Sequence, residues 1–513
     1  MKHIYVLIGS GLLLLMASCA KDKTNFDLKP KEQITVTGLE SSYTTISQKD
    51  HLTIDPMVTS TEPDANFDYL WGIYETNVQG SAPVLDTIGR TKKLDYLVKQ
   101  ASKGWVLVFR VTNKKTKYAQ YFTSAINVVT QFTRGWYVAK DDGSQADMDL
   151  FLTPVSLVPD SKVENVYSTV NGGKLNGKAQ LLTYFTSYKS TVTGVLSNTK
   201  ALFLTTDKDV SAMNMNTLKQ IRNINTLFYQ APATAAPNAV FLGSSANYLV
   251  NDGQCYSIYA MSANSGQFGV RKMKDDANTP YHLSRYFLTS TNTDPYFFDD
   301  MSSSFLMGTA TGAVMTAVTD DAVTAMPAQN NNKKMIYMGF KTTTYVASEF
   351  ASYVNGYAIF QDKANPSLKI LSQLNPNKTK MSMVNDTLKT TDKIFNATNY
   401  ALLDGDESLI YFITGNQVWS RNLSNKFEQL QFTAPAGEEI TFIRHKKYTE
   451  TGYTHNYVLI GTKLGDSYKV RMFTKSSGSL ASSPDITLEG KGIVRDVMYM
   501  SPSVSEYTYS NSY

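Results

Sequence analysis

The side chains able to move protons or hold metal ions are few and scattered. Of the five histidines, His3 lies in an apolar leader, and His51 and His282 stand alone. His445 and His455 are ten residues apart, with Lys446 and Lys447 beside the first. No HExxH or HxH spacing occurs, so no local element offers two imidazoles to one metal. No Gly-x-Ser-x-Gly elbow raises a nucleophilic serine, and no glycine-rich phosphate loop opens a helix. Carboxylates are plentiful. Asp299-Asp300 and Asp404-Gly405-Asp406-Glu407 could supply the separated pair a glycosidase needs, but adjacent acids in a turn read first as a solvated face. Asp141-Asp142-Gly143 with Asp147 and Asp149 offers hard oxygen ligands of the kind calcium takes. Their spacing does not match an EF-hand loop, and a hairpin turn is the better reading. The chain is therefore expected to be non-catalytic, with no metal and no cofactor.

Binding chemistry has one stronger candidate. Tyr281-His282-Leu283-Ser284-Arg285-Tyr286-Phe287 is followed closely by Asp294-Pro295-Tyr296-Phe297-Phe298. Tyrosine and phenylalanine rings can stack on sugars or pack peptide side chains, and a guanidinium can grip a carboxylate. Tyr281, Arg285, Tyr286, Tyr296, Phe297 and Phe298 are accordingly the candidate ligand-binding residues, placed on loops between strands. The competing reading puts the rings in the core between neighbouring sheets, the common fate of aromatics in such folds. Cys255, in the apolar run Gln254 to Ala260, reads as a buried core thiol.

These residues must be held by β-structure. The chain has 513 residues, of which 42% are hydrophobic and only 18% charged, so overall disorder is excluded. Its 32 tyrosines and 24 phenylalanines favour strands over helical bundles. With 49 basic against 44 acidic residues and no long basic run, nucleic acid is not an expected partner. Residues 28–126 read as a small β-sandwich. Phe67, Tyr69, Trp71 and Ile73 alternate onto one face, and Gly104 to Val111 forms the strongest strand. Asn113-Lys114-Lys115-Thr116 turns that strand into a partner. A central tryptophan without a cysteine pair fits a PKD- or fibronectin-like relative of the immunoglobulin fold.

Across residues 130–513 short β-rich segments begin near Trp136, Ala201, Tyr248, Ser304, Tyr357, Ile410 and Val458, 47 to 65 residues apart. Several restart as hairpins through Asn251-Asp252-Gly253, Thr414-Gly415-Asn416 and Leu464-Gly465-Asp466. A unit of this size with about four strands matches a propeller blade. The expected fold is all-β: an Ig/PKD-like sandwich followed by a β-propeller of about seven blades.

The first 18 residues read as a signal peptide, with Lys2 ahead of the apolar stretch Ile4 to Met16. They end in Met16-Ala17-Ser18-Cys19, which resembles a bacterial lipobox; its usual leucine is Met16 here. Cys19 is the expected lipidation site, and residues 19–27 the polar tether behind it. With Cys255 the only other thiol, no intramolecular disulfide remains possible.

Taken with that anchor, Tyr69-Leu70-Trp71, Trp105-Val106-Leu107-Val108 and Gly135-Trp136-Tyr137-Val138 resemble the PKD-like family of Bacteroidota lipoproteins. The last segment leads through Asp141-Asp142-Gly143 to Met148-Asp149-Leu150, and the resemblance covers Cys19 to about residue 150. It implies a lipid-anchored outer-membrane protein facing the cell exterior and partnered with a SusC/SusD-type TonB-dependent importer. The role implied is non-catalytic capture of an oligopeptide or glycan. A propeller hydrolase, and an adhesin or structural surface protein, are the alternatives.

Overall fold

The computed structural model describes residues 32–75, 82–154, 156–190, 196–290, 293–405, 407–450 and 452–505. The signal segment 1–18, Cys19, the tether 19–27 and Asp406 lie outside the described residues. The chain divides into two units, Met1–Val128 and Val129–Tyr513. Both are built from strands, and no helix of the described residues is long and apolar enough to cross a membrane.

In the first unit a five-stranded sheet has the order Ser42–Ile46, Ala119–Val129, Gly104–Asn113, Phe67–Glu75, Asp86–Gly89. Two small ladders, Ile34–Thr37 with Met57–Ser60 and His51–Ile54 with Leu94–Leu97, share its core. The alternation expected around Trp71 is what fills that core. Trp71 is fully buried and stacks on Phe109 with ring centroids 4.0 Å apart. Its indole N–H, which would otherwise be stranded, donates to the Thr91 carbonyl at 3.0 Å.

Among the described residues of the second unit, seven sheets of three to five strands follow in chain order. They are antiparallel except where Thr319–Asp320 pairs parallel with Lys380–Leu388 in the fifth, and besides them there is a two-stranded ladder of Lys475–Ser476 with Ser479–Leu480. The first contains Gly135–Asp141, Gln145–Leu152 and Ser161–Val163. The second runs from Ala179–Ser190 through Ser197–Thr206 and Val210–Asn214 to Gln220–Arg222. The third has three strands, Pro237–Leu242, Ala246–Asn251 and Gln254–Tyr259. The fourth begins with Leu283–Ser290 and Thr293–Asp299, the fifth with Lys333–Val346 and Ala351–Asp362. The sixth begins with Asn399–Leu402 and Leu409–Thr414, and the seventh with Glu439–Tyr448 and His455–Leu464. Each of the seven segments picked out by sequence rhythm falls in a different one of these sheets.

The last strand, Ile493–Met500, does not extend the seventh sheet. It returns to pair antiparallel with Gly135–Asp141, with Met500 opposite Gly135. Packing follows the same cycle. Apolar clusters join second to third sheet, third to fourth, fourth to fifth, fifth to sixth and sixth to seventh. A further cluster joins the seventh, first and second, through Leu459, Met148 and Leu202 among others. The leading strands of neighbouring sheets touch in turn, and Glu439–Tyr448 touches Ile493–Met500. Strands such as Ala246–Asn251 and Leu409–Thr414 are buried on both faces, and a sheet so patterned needs a neighbour on each side.

Local chemistry sets the hairpins. At the turn after Ala246–Asn251, Asp252 and Gly253 both take positive φ, +48° and +66°, the pairing that matches strand twist. A tighter constraint falls on Gly266, where φ is +82° and an added Cβ would sit 2.0 Å from the Lys189 carbonyl oxygen. Gly266→Ala is expected to cost roughly 2 kcal/mol or more, combining left-handed strain with backbone displacement. A chemical melt of this variant indistinguishable from wild type would refute that constraint.

Candidate functional site

The aromatic cluster is corrected by its surroundings. Apart from Tyr281, just ahead of the first strand, its residues lie in two paired strands, Leu283–Ser290 and Thr293–Asp299, rather than in loops crossing a face. Tyr281, Tyr296, Phe297 and Phe298 are all buried, at 2% exposure or less. Phe297 packs with Phe241 toward the third sheet, while Phe298 packs on Phe305 and Phe360 toward the fifth. The Tyr281 hydroxyl donates to the Lys272 carbonyl and that of Tyr296 to the Lys378 carbonyl, each at 2.6 Å. Only Arg285 is exposed, with its guanidinium 5.7 Å from the half-buried Tyr286 ring. Adjacent residues in a strand point to opposite faces, so each ring was drawn into one inter-sheet layer or the other. The six residues do not form one ligand surface.

Most of the candidate acids, and His445, are engaged with neighbours, whereas neither ring nitrogen of the buried His455 has a hydrogen-bond partner among the described residues. Asp299 is fully buried against Lys274 at 2.8 Å and Ser302 at 2.6 Å. Burial pushes its pKa upward, but these donors prevail and hold it below the ordinary carboxylate range. Burial raises that of Asp300. Opposite displacement is the pattern of an acid–base pair, yet Asp299 is sealed from any substrate. Glu407 pairs with Lys475 at 2.9 Å. The Asp404 N–H donates to His445 Nδ1, leaving Nε2 to donate to Asn456 at 2.7 Å. Cys255 is wholly buried, and burial pushes its thiol up to about 12, which makes it inert.

Two clefts remain. One, of about 460 Å³, lies where the first and seventh sheets meet and gathers the sequence's acidic turn. Asp142 accepts from Ser144 and Gln145, which closes the hairpin, and pairs with Lys174 at 2.7 Å. Lys174 is the main reason its pKa lies well below the usual range. Asp141 pairs with Arg495 at 2.8 Å, and Lys140 with Asp149 at 2.7 Å. Asp147 uses one oxygen for the Met148 and Ser168 N–H groups. Among the described residues no group of three or more His, Cys, Asp or Glu is arranged to hold a metal ion. Asp141 and Asp142 sit at the hairpin turn, Asp147 and Asp149 in the strand after it, and the Asp141–Arg495 pair ties the strand Ile493–Met500 to the first sheet.

The second cleft, of about 470 Å³, lies between the second and third sheets. It is lined by amides and hydroxyls, including Asn198, Ser244, Ser245 and Asn247, beside Leu242 and Met261. Nothing in the sequence marks these residues, because isolated asparagines and serines near turns are ordinary.

Fold and clefts together define an all-β protein of two units, the second a cycle of seven sheets offering shallow polar sites at its strand ends. Residues 19–179 match the model of the PKD-like family. No curated protein matches the chain in sequence. Among solved structures, the chain is similar to a quinonprotein alcohol dehydrogenase-like protein from Bacteroides thetaiotaomicron, at 12% identity and TM-score 0.36, covering 90% of this chain and 96% of that one. It is also similar to a DUF4784 family protein from Bacteroides caccae, at 7% identity and TM-score 0.32, covering 79% and 96%. The WD40 domain of SCAP from fission yeast gives 9% identity and TM-score 0.33, covering 63% and 75%. Likenesses of this order transfer no activity.

Proposed function

We propose that the protein is a lipid-anchored outer-membrane protein, facing the cell exterior, that serves as a non-catalytic ligand-binding subunit of a SusC/SusD-type importer of oligopeptides or glycans. In this reading Cys19 carries the lipid, the PKD-like unit is a spacer, and the second unit is a seven-bladed propeller. The cyclic packing of seven sheets and the closing strand Ile493–Met500 support the propeller assignment. The lipobox-like Met16-Ala17-Ser18-Cys19 and the family match over 19–179 support the anchor and the setting.

The observation that carries the non-catalytic role is the pairing-off of five of the candidate acids. Proton-transfer catalysis needs a reachable group whose pKa lies near the working pH. Here Asp141, Asp142, Asp149, Asp299 and Glu407 are each spent on a cation. A rigid scaffold with polar clefts at its strand ends suits recognition instead, because little ordering cost attends binding.

The test is gentle extraction of a C-terminally tagged full-length copy from its native outer membrane, followed by mass spectrometry of what accompanies it. Stoichiometric recovery of a TonB-dependent channel and its SusD-like lid is the expected result. Recovery of the tagged protein alone would sink the importer-subunit reading.

A further inference from the structure

We propose that the cleft between the second and third sheets binds a short neutral saccharide, with the Asn247 carboxamide as its central hydrogen-bonding group. This rests on the ligand-capture reading above and names the ligand class and its place. Asn247 lies in the strand Ala246–Asn251 and is only 7% exposed. Its cross-strand neighbours, Leu242 on one side and Ile258 on the other, are apolar. Asparagine is disfavoured in strands, and an amide brings two donors and an acceptor that must be satisfied. Among the described residues the Asn247 side chain has no hydrogen-bond partner. The amide therefore faces the cleft with its hydrogen-bonding groups open to an incoming ligand.

The rest of the lining sets the ligand's chemistry. Ser244 and Ser245, in the turn between Pro237–Leu242 and Ala246–Asn251, have hydroxyls 3.5 Å apart and stand beside the amide. Among the described residues Lys189 is the only charged one lining the cleft, and no carboxylate does. Met261, 81% exposed, adds flexible apolar surface. A lining of amides and hydroxyls with no carboxylate suits a ligand that is dense in hydroxyls, carries C–H patches between them and bears no positive charge, which describes a saccharide. A free peptide brings an ammonium for which the cleft has no counter-charge. At about 470 Å³ the space is within the usual ~300–1,000 Å³ of small-molecule sites.

Calorimetry of the full-length protein with maltotriose, cellotriose, xylotriose, mannotriose and triacetylchitotriose tests the proposal, with end-capped trialanine as the peptide probe. At least one saccharide should saturate a single site. Asn247→Ala should weaken it at least tenfold, and Ser245→Tyr, which fills the cleft from a half-buried turn position, should abolish it. Lys491→Ala, in the charged cleft, should leave it unchanged. Ser245→Tyr decides the matter if Asn247→Ala does not fold. Binding of none of the five, or binding indifferent to both cleft variants, overturns the proposal. Trialanine binding that Asn247→Ala weakens overturns the saccharide assignment. In each of these cases, recovery of the channel with the tagged protein would leave the importer-subunit reading standing.

Discussion

Asp149→Ala is expected to destabilise the second unit by about 3–5 kcal/mol, the usual cost of stranding one partner of a buried ion pair. The Asp149 side chain is fully enclosed, and its two oxygens serve three donors. Lys140 Nζ approaches at 2.7 Å, the Asn165 N–H at 2.9 Å and the Tyr468 hydroxyl at 2.7 Å. Asn165 precedes the short helix Val166–Asn171 and holds a left-handed φ of +53°. Tyr468 belongs to the seventh sheet and is 1% exposed. One carboxylate therefore fastens the first sheet to its own connecting segment and to the last sheet of the cycle. Alanine would leave the Lys140 ammonium buried without a counter-charge and two further donors unmet. For a unit of this size the loss corresponds to about 5 °C in the midpoint of a calorimetric melt. The pair's net worth is smaller than the cost of breaking it. The double variant Lys140→Met with Asp149→Leu removes both charges and should recover most of the lost stability. A single variant that melts within 1 °C of wild type would contradict the argument.

His455 should make the same seam acid-labile. Its ring is 3% exposed and enclosed by Trp136 at 5.0 Å, Tyr457 at 5.5 Å, and Tyr448 and Tyr499 at 5.7 Å. Burial, aided by the nearby His445 and Lys446 charges and opposed by the Lys446 backbone, lowers its pKa to about 4. An unfolded histidine takes its proton near 6.5. Between those values the unfolded chain holds more protons than the folded one, so stability falls as pH falls. The contribution is fully present above about pH 6.5 and is lost through pH 4, a total of about 3 kcal/mol. Titrating carboxylates add their own slope, so the comparison must be with His455→Phe, which keeps an aromatic ring and removes the proton site. Urea midpoints at pH 7 and pH 4.5 should show the variant losing about 2–3 kcal/mol less than wild type. Equal losses in the two proteins would mean that His455 is not the titrating group.

What could be read locally was read from the sequence. Strand rhythm located one segment in each of the seven sheets, because alternating and apolar runs depend only on near neighbours. The Asp252-Gly253 turn and the hairpin at Asp142 likewise follow from side chains within four residues. Trp71 was legible as core because its strand alternates clearly. Tertiary structure alone decided the rest. Tyr296, Phe297 and Phe298 look the same in sequence whether they line a binding surface or separate two sheets. Their burial depends on sheets from other parts of the chain, on both faces of one strand. The pairing of Met500 with Gly135 closes the cycle across nearly the whole second unit, a contact no local pattern encodes. Asn247 gained its meaning only when the second sheet came to stand beside the third. An amide in a strand is a minor irregularity in sequence, and becomes part of a cleft wall once the neighbouring sheet stands beside it.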